Sequence, residues 1–135
     1  MRVILDTNVL MSAVFFGGVP GRILEAWRDD RLALVFSPSI FEEYQRVGEI
    51  LAARYSRLEL EPILSLLLSE GILAPDSVLP EAVSSDLDDD KFLACALASN
   101  TSVLISGDKD LLEVTGYEGI EVLKPRDFVG RHLDL

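Results

Sequence analysis

Five short apolar runs, RVIL (2–5), LALVF (32–36), ILA (72–74), SVLIS (102–106) and IEVL (120–123), alternate with longer segments of helical spacing, and this alternation constrains the fold most. The runs have strand length, and the clearest of them are apolar throughout, the pattern of strands covered on both faces. The expected architecture is therefore α/β, a parallel β-sheet sandwiched by α-helices. Right-handed crossovers then put the carboxyl ends of the strands on one edge. At 135 residues the chain is long enough for one sizeable core, so 1–135 is read as a single domain.

The connecting segments carry their own signals. A helix is expected from about Val9, and another in PGRILEAWRDD, where Ile23, Leu24 and Trp27 recur at helical intervals and make Trp27 a core residue. SPSIFEEYQRVGEILAARY reads as a helix with Ser37 as its cap and Pro38 in its first turn. A further helix is expected over roughly Glu59 to Ser69, ended by Gly71. PDSVLPEAVSSDLDDD reads as a polar loop leading into KFLACALASN, whose Ala94, Ala96 and Ala98 let a helix lie close to a sheet. DKDLLEV is expected as a short helix and PRDFVGRHL as a terminal helical turn.

The acids fall where ligands bind in open α/β sheets, outside the carboxyl ends of strands. Asp6 ends the first strand and Asp108 follows the fourth after one glycine. Glu42 or Glu43 lies a turn into the helix after the second strand, and DLDDD leads into the helix containing Phe92. Each has a simpler role: Asp6 or Asp108 as a helix cap, the glutamate as a solvated charge, Asp88 to Asp90 as acids favouring a helix N-terminus. Four carboxylates in one cleft repel, however, and require a cation. Hard oxygen donors without a Cys/His cluster select Mg²⁺ or Mn²⁺.

Other chemistries find little support. The only histidine, His132, lies near an expected exposed terminus with no nucleophile to pair with. Cys95, the only cysteine, sits in LACALA as a small buried hydrophobe. There is no P-loop or dinucleotide glycine fingerprint. A net charge of −11 opposes simple nucleic-acid binding, yet six of the twelve basic residues lie between Arg22 and Arg57, while residues 76–90 carry six acids and no base. Divalent metal among the acids would invert the local field and admit a phosphate. A leader or membrane span is not expected, since the apolar run before Asp6 and the stretch Val9 to Phe16 are both too short, which points to a cytoplasmic protein with no membrane partner.

In order and spacing, VILDTNVLMSA, SPSIFEEY, DLDDDKFLACALA and VLISGDKDLL resemble the PIN-domain family, over nearly the whole chain, and most closely its small bacterial and archaeal members that act as toxins of toxin–antitoxin pairs. The resemblance implies a PIN-like (Rossmann-like) fold and a metal-dependent endoribonuclease, a homodimer inhibited by a cognate antitoxin. It makes Asp6, Glu43, Asp89 and Asp108 the catalytic and metal-holding acids; Leu87 stands where relatives carry proline two residues before the third acid, which aligns Asp89, and the run of three acids leaves Asp90 as the alternative. Asn8 and Ser106 match supporting polar positions. Hydrolysis of an RNA phosphodiester with Mg²⁺ or Mn²⁺ follows, with Arg46 and Lys109 as candidates to position the RNA backbone. Phe15, Phe16, Leu66, Leu67 and Leu68 exceed the needs of one small core and suggest the dimer contact.

Two competing readings remain at this level. One is a PIN fold without catalysis, serving as an RNA- or antitoxin-binding module. The other is a receiver-like phosphoacceptor domain, suggested by Lys124-Pro125 but lacking an acid at the end of GILAP.

Overall fold

The computed structural model describes residues 1–55 and 57–134, and the side chains of all of these except Arg57 and Leu58. Arg57, one of the six basic residues of its stretch, therefore lies outside the described side chains.

The apolar runs form the strands β1 (Arg2–Leu5), β2 (Ala33–Phe36), β3 (Ile72–Leu73), β4 (Val103–Ile105) and β5 (Glu121–Leu123), joined in one parallel sheet of order β3-β2-β1-β4-β5. The longer connections are helical: α1 (Thr7–Phe15), α2 (Gly18–Arg28), α3 (Pro38–Arg54), α4 (Arg57–Glu70), α5 (Asp90–Ser99), α6 (Lys109–Leu112) and α7 (Pro125–Phe128). This is the expected α/β architecture. The three central strands are buried along nearly their whole length, with Ile4, Leu104 and Ile105 completely inaccessible, because parallel strands crossed by helices leave no wet face.

Local chemistry explains most boundaries. Ser37 Oγ accepts the Ile40 N–H and Pro38 opens α3, as expected. Asn100 closes α5 in the left-handed conformation at φ 55°. Ala94 and Ala96 of α5 are buried as expected, together with Phe92, Leu93 and Cys95, whereas Ala98 is exposed. Burial pushes the Cys95 thiol up to about 11, in keeping with an inert core residue. Trp27 is likewise in the core. PDSVLPEAVSSDLDDD stays irregular until a 3₁₀ turn at Leu87–Asp89.

Two expectations need correction. Leu67 is 1% exposed and belongs to the core, and Phe15 and Leu66 pack half-buried against it, so only Phe16 and Leu68 of the proposed dimer residues project into solvent. α4 buries one stripe of its apolar residues, Leu60, Ile63, Leu64 and Leu67, and packs against α1 and α3, which the run of three in SLLLS conceals. His132 is also not exposed: it is half-buried in a π-helical turn (Val129–Leu133), its ring 4.9 Å from that of Phe128. No single helix among the described residues is long and apolar enough to cross a membrane. The apolar α1 and α2 would have to act together and are bent 91° apart.

Gly71 turns the chain from α4 into β3 where there is no room for a side chain. A Cβ there would lie 2.5 Å from the Leu67 carbonyl oxygen and 2.7 Å from Phe36 Cε1. Gly71→Ala should therefore destabilise the protein by about 1–3 kcal/mol in urea unfolding, the usual cost of overpacking. Gly21→Ala, in open space inside α2, should be neutral or stabilising by the same measurement.

Candidate active site

The strand order reverses between β1 and β4, and the crevice outside their carboxyl ends is where such a sheet can receive a ligand. Ile4 pairs with Leu104 and Leu5 with Ile105, and the ladder runs one residue further as the Asp6 N–H donates to the Ile105 carbonyl at 2.9 Å. Asp6 stands at the N-cap position of α1 but makes no side-chain capping bond. Instead the Ser106 hydroxyl donates to its Oδ2 at 2.6 Å, while the same Oγ accepts the Asp108 N–H at 2.9 Å. One buried hydroxyl thus ties the acid after β1 to the residue after β4. Capping is the wrong role for Asp6 and part of the role of Asp108, whose Oδ2 accepts the Leu111 N–H at 3.2 Å and starts α6.

α3 brings a third carboxylate. Glu43 is 8% exposed whereas Glu42 faces solvent, which separates the pair. Its Oε2 accepts the Thr7 hydroxyl and its Oε1 accepts Lys91 Nζ at 2.5 Å, with Arg46 Nη2 3.8 Å away. The next residue, Tyr44, donates its hydroxyl to the Leu5 carbonyl at 2.5 Å and fastens α3 to the end of β1. The segment before α5 brings the fourth. Asp89 turns into the cleft with an Oδ2 that is buried and has no hydrogen-bond partner. Asp90 turns away, accepting the Val83 and Ser84 N–H groups at 3.0 and 2.8 Å, and so serves as a loop staple. Asp88 bonds Lys91 at 3.2 Å from the rim.

Asp6, Glu43, Asp89 and Asp108 thereby line one cleft of about 280 Å³, together with Thr7, Asn8, Arg46, Asp86 and Asp88. Asn8 is exposed on its wall. Lys109 lies outside it, 87% exposed, 3.9 Å from Glu113 and beside an adjoining cavity that Asn8 and Asp108 share. Sequence reasoning missed the partners Thr7 and Lys91 and two further acids, Asp86 and Asp110. Carboxylate oxygens of Asp86, Asp89 and Asp110 lie within 4.8 Å of one another. Asp110 had a signal, standing two residues after Asp108 in GDKD, and Asp86 opens DLDDD. The contact of Lys91 with Glu43 spans 48 positions and had none.

Electrostatics mark the cleft as short of positive charge. Burial, then the hydrogen bond with Asp108, then the charges of Asp108, Asp6 and Asp86 push the Asp89 carboxyl up to about 8. Asp6 is raised by burial, against the Ser106 hydroxyl and the Thr7 N–H, which favour its charged form. Burial alone would lower the Lys91 ammonium, but its bonds to Glu43 and Asp88 hold it above the ordinary lysine range. An orphaned carboxylate oxygen among hard donors fits a divalent cation such as Mg²⁺ or Mn²⁺.

Comparison with known proteins agrees with this geometry. The PIN domain family profile matches residues 2–110. The uncharacterized protein MJ1680 of Methanocaldococcus jannaschii is 32% identical over 122 residues, which cover 84% of this chain and 75% of that protein. Among solved structures, a chain in that of VapBC2 from Rickettsia felis bound to a DNA fragment from their promoter superposes with a TM-score of 0.61 at 14% identity, covering 92% of this chain and 98% of that one. The chain belongs to the PIN-domain family, whose members are generally nucleases.

The Asp89 shift has a stability consequence. Its folded-state pKa of about 8 lies above the unfolded value near 3.8, so the native state holds the extra proton between those limits. Metal-free protein should therefore lose stability as pH rises from about 4 to 8. Asp89→Asn cannot ionise and should show a flatter fall. Melting temperatures measured in EDTA across that range check this, and parallel profiles would contradict it.

Proposed function

We propose that this PIN domain, read as one domain over residues 1–135, is a Mg²⁺- or Mn²⁺-dependent endoribonuclease and the toxin member of a toxin–antitoxin pair. The observation that carries the proposal is the bridge from Asp6 through the Ser106 hydroxyl to Asp108, facing an Asp89 whose buried oxygen has no partner.

In this reading Asp6, Asp89 and Asp108 hold the metal, and Glu43 completes the site through water. When bound, a divalent ion supplies Lewis-acid activation of water and stabilises the leaving oxygen in an in-line displacement at phosphorus. Ser106 orients Asp6, and Asn8 offers an amide at the wall of the cleft. Arg46, at the rim of the cleft, and Lys109, in the adjoining cavity, are the candidates to meet the RNA backbone. His132 is packed on Phe128 in the terminal turn and does not line the cleft, so no imidazole is at hand to activate an RNA 2′-hydroxyl.

The likeness in fold to a chain of VapBC2 supports an antitoxin partner. Such a partner would present an apolar helix and an Arg or Lys reaching the acids. Exposed Phe16 and Leu68 are candidates for contact with a second copy, and the protein acts in the cytoplasm.

With a single-stranded RNA probe and Mn²⁺, Asp6→Asn, Asp89→Asn and Asp108→Asn should each lower the cleavage rate by roughly 100-fold or more while circular dichroism stays native. Ser106→Ala should lower it by roughly 10–100-fold, as for a group that orients a metal ligand. EDTA should abolish cleavage, and the products should carry 5′-phosphate and 3′-hydroxyl ends. A 2′,3′-cyclic phosphate product, or full activity in EDTA, would overturn the proposal.

A further inference from the structure

Lys91 has no assigned role, yet it is the cation in closest contact with the acids of the cleft. Its side chain is 18% exposed, and its ammonium sits between Glu43 Oε1 at 2.5 Å and Asp88 Oδ1 at 3.2 Å. The other oxygen of Glu43 is taken by the Thr7 hydroxyl. Both oxygens of this carboxylate are therefore engaged by the protein itself, in contrast to Asp89, whose Oδ2 is buried and bare. A lysine held this way is costly to bury and is retained only where its charge is matched. Here the match comes from two elements, α3 through Glu43 and the turn before α5 through Asp88.

We infer that Lys91 is a positioning residue of the site, a tethered counter-cation that keeps Glu43 from direct coordination and leaves the direct metal contacts to Asp6, Asp89 and Asp108. The inference rests on the nuclease reading above and deepens it. Glu43 then acts indirectly, by fixing Thr7 behind Asp6 and Lys91 at the start of α5. Arg46, 60% exposed and 3.8 Å from the same Oε1, is too loosely placed to take over this contact. A lysine and a divalent ion drawing on one carboxylate oxygen compete for it. Removing the lysine should release Glu43 to the metal.

The test is a double-mutant cycle on Mn²⁺ affinity, measured by isothermal titration calorimetry on the whole protein. Lys91→Met should bind Mn²⁺ roughly tenfold more tightly than wild type, the scale expected for one unit charge a few ångströms away in a partly screened site. In a Glu43→Gln background the same change should give a much smaller gain, and Lys91→Arg should restore the wild-type affinity. Glu43→Gln alone should weaken Mn²⁺ less than Asp89→Asn or Asp108→Asn. If Lys91→Met does not fold, Lys91→Gln keeps a donor for Glu43 without the charge and carries the same cycle. An equal gain in both backgrounds would mean only a general loss of positive charge and would overturn the inference, as would an unchanged affinity. Bound Mn²⁺ with an additive cycle defeats this inference alone. No Mn²⁺ bound to any variant defeats the nuclease reading with it.

Discussion

The pairing of β1 with β4 is the constraint on which the site depends. These strands are 100 residues apart in the chain, and their register sets Leu5 against Ile105 and extends to the Asp6 N–H on the Ile105 carbonyl. A slip of one residue would turn each strand's side chains to the opposite face and separate Asp6 from Ser106. Register is enforced by burial, since Ile4, Leu104 and Ile105 are inaccessible and have only one packed arrangement. The hydrophobic core thus decides where the carboxylates meet.

What the core brings together, electrostatics would push apart. On top of the cost of burial, Asp108 raises the proton affinity of Asp6, and Asp108 and Asp6 together raise that of Asp89, which keeps its proton up to about pH 8. The fold meets this strain with hydrogen bonds that cost no charge: the Ser106 hydroxyl at Asp6, backbone N–H groups at Asp90 and Asp108, and the Thr7 hydroxyl at Glu43. Among the described residues, only Glu43 and Asp88 of the cleft's acids have a cation in direct contact, Lys91 in both cases. The acids therefore divide into those the protein satisfies, Glu43 and Asp90, and those it leaves short. That division maps onto the proposed one between positioning groups and metal-holding groups.

The fold and the four site segments were legible in the sequence because both rest on local pattern. Apolar runs of strand length and capped helices are read over four to twenty residues, and topology then carries acids at strand ends to one edge. Choices between neighbours were not legible in local pattern and came only from the family resemblance. Glu42 and Glu43 differ only in which side of α3 faces the crevice. Asp89 and Asp90 differ in a loop whose Val83 and Ser84 amides claim one of them. The surplus of leucines in α4 misled for the same reason, since a run of three cannot tell which one packs inward. Long-range polar contacts such as that of Lys91 with Glu43 leave no periodic trace at all.

Under the proposed function, the net charge of −11 becomes part of the protein's control. A cleft with Asp6, Glu43, Asp86, Asp88, Asp89 and Asp108 on its walls and, among the described residues, Arg46 as the one cation lining it repels phosphate as long as its charge is unbalanced. Positive charge supplied by a metal reverses that field locally, so phosphate affinity and metal affinity must rise together, each by the factor it confers on the other. A basic side chain from a protein partner would draw on the same deficit, but it would fill the acids without offering the coordination that hydrolysis needs. Two kinds of ligand with opposite effects would then answer to one feature, the buried carboxylates that the fold gathers and leaves uncompensated.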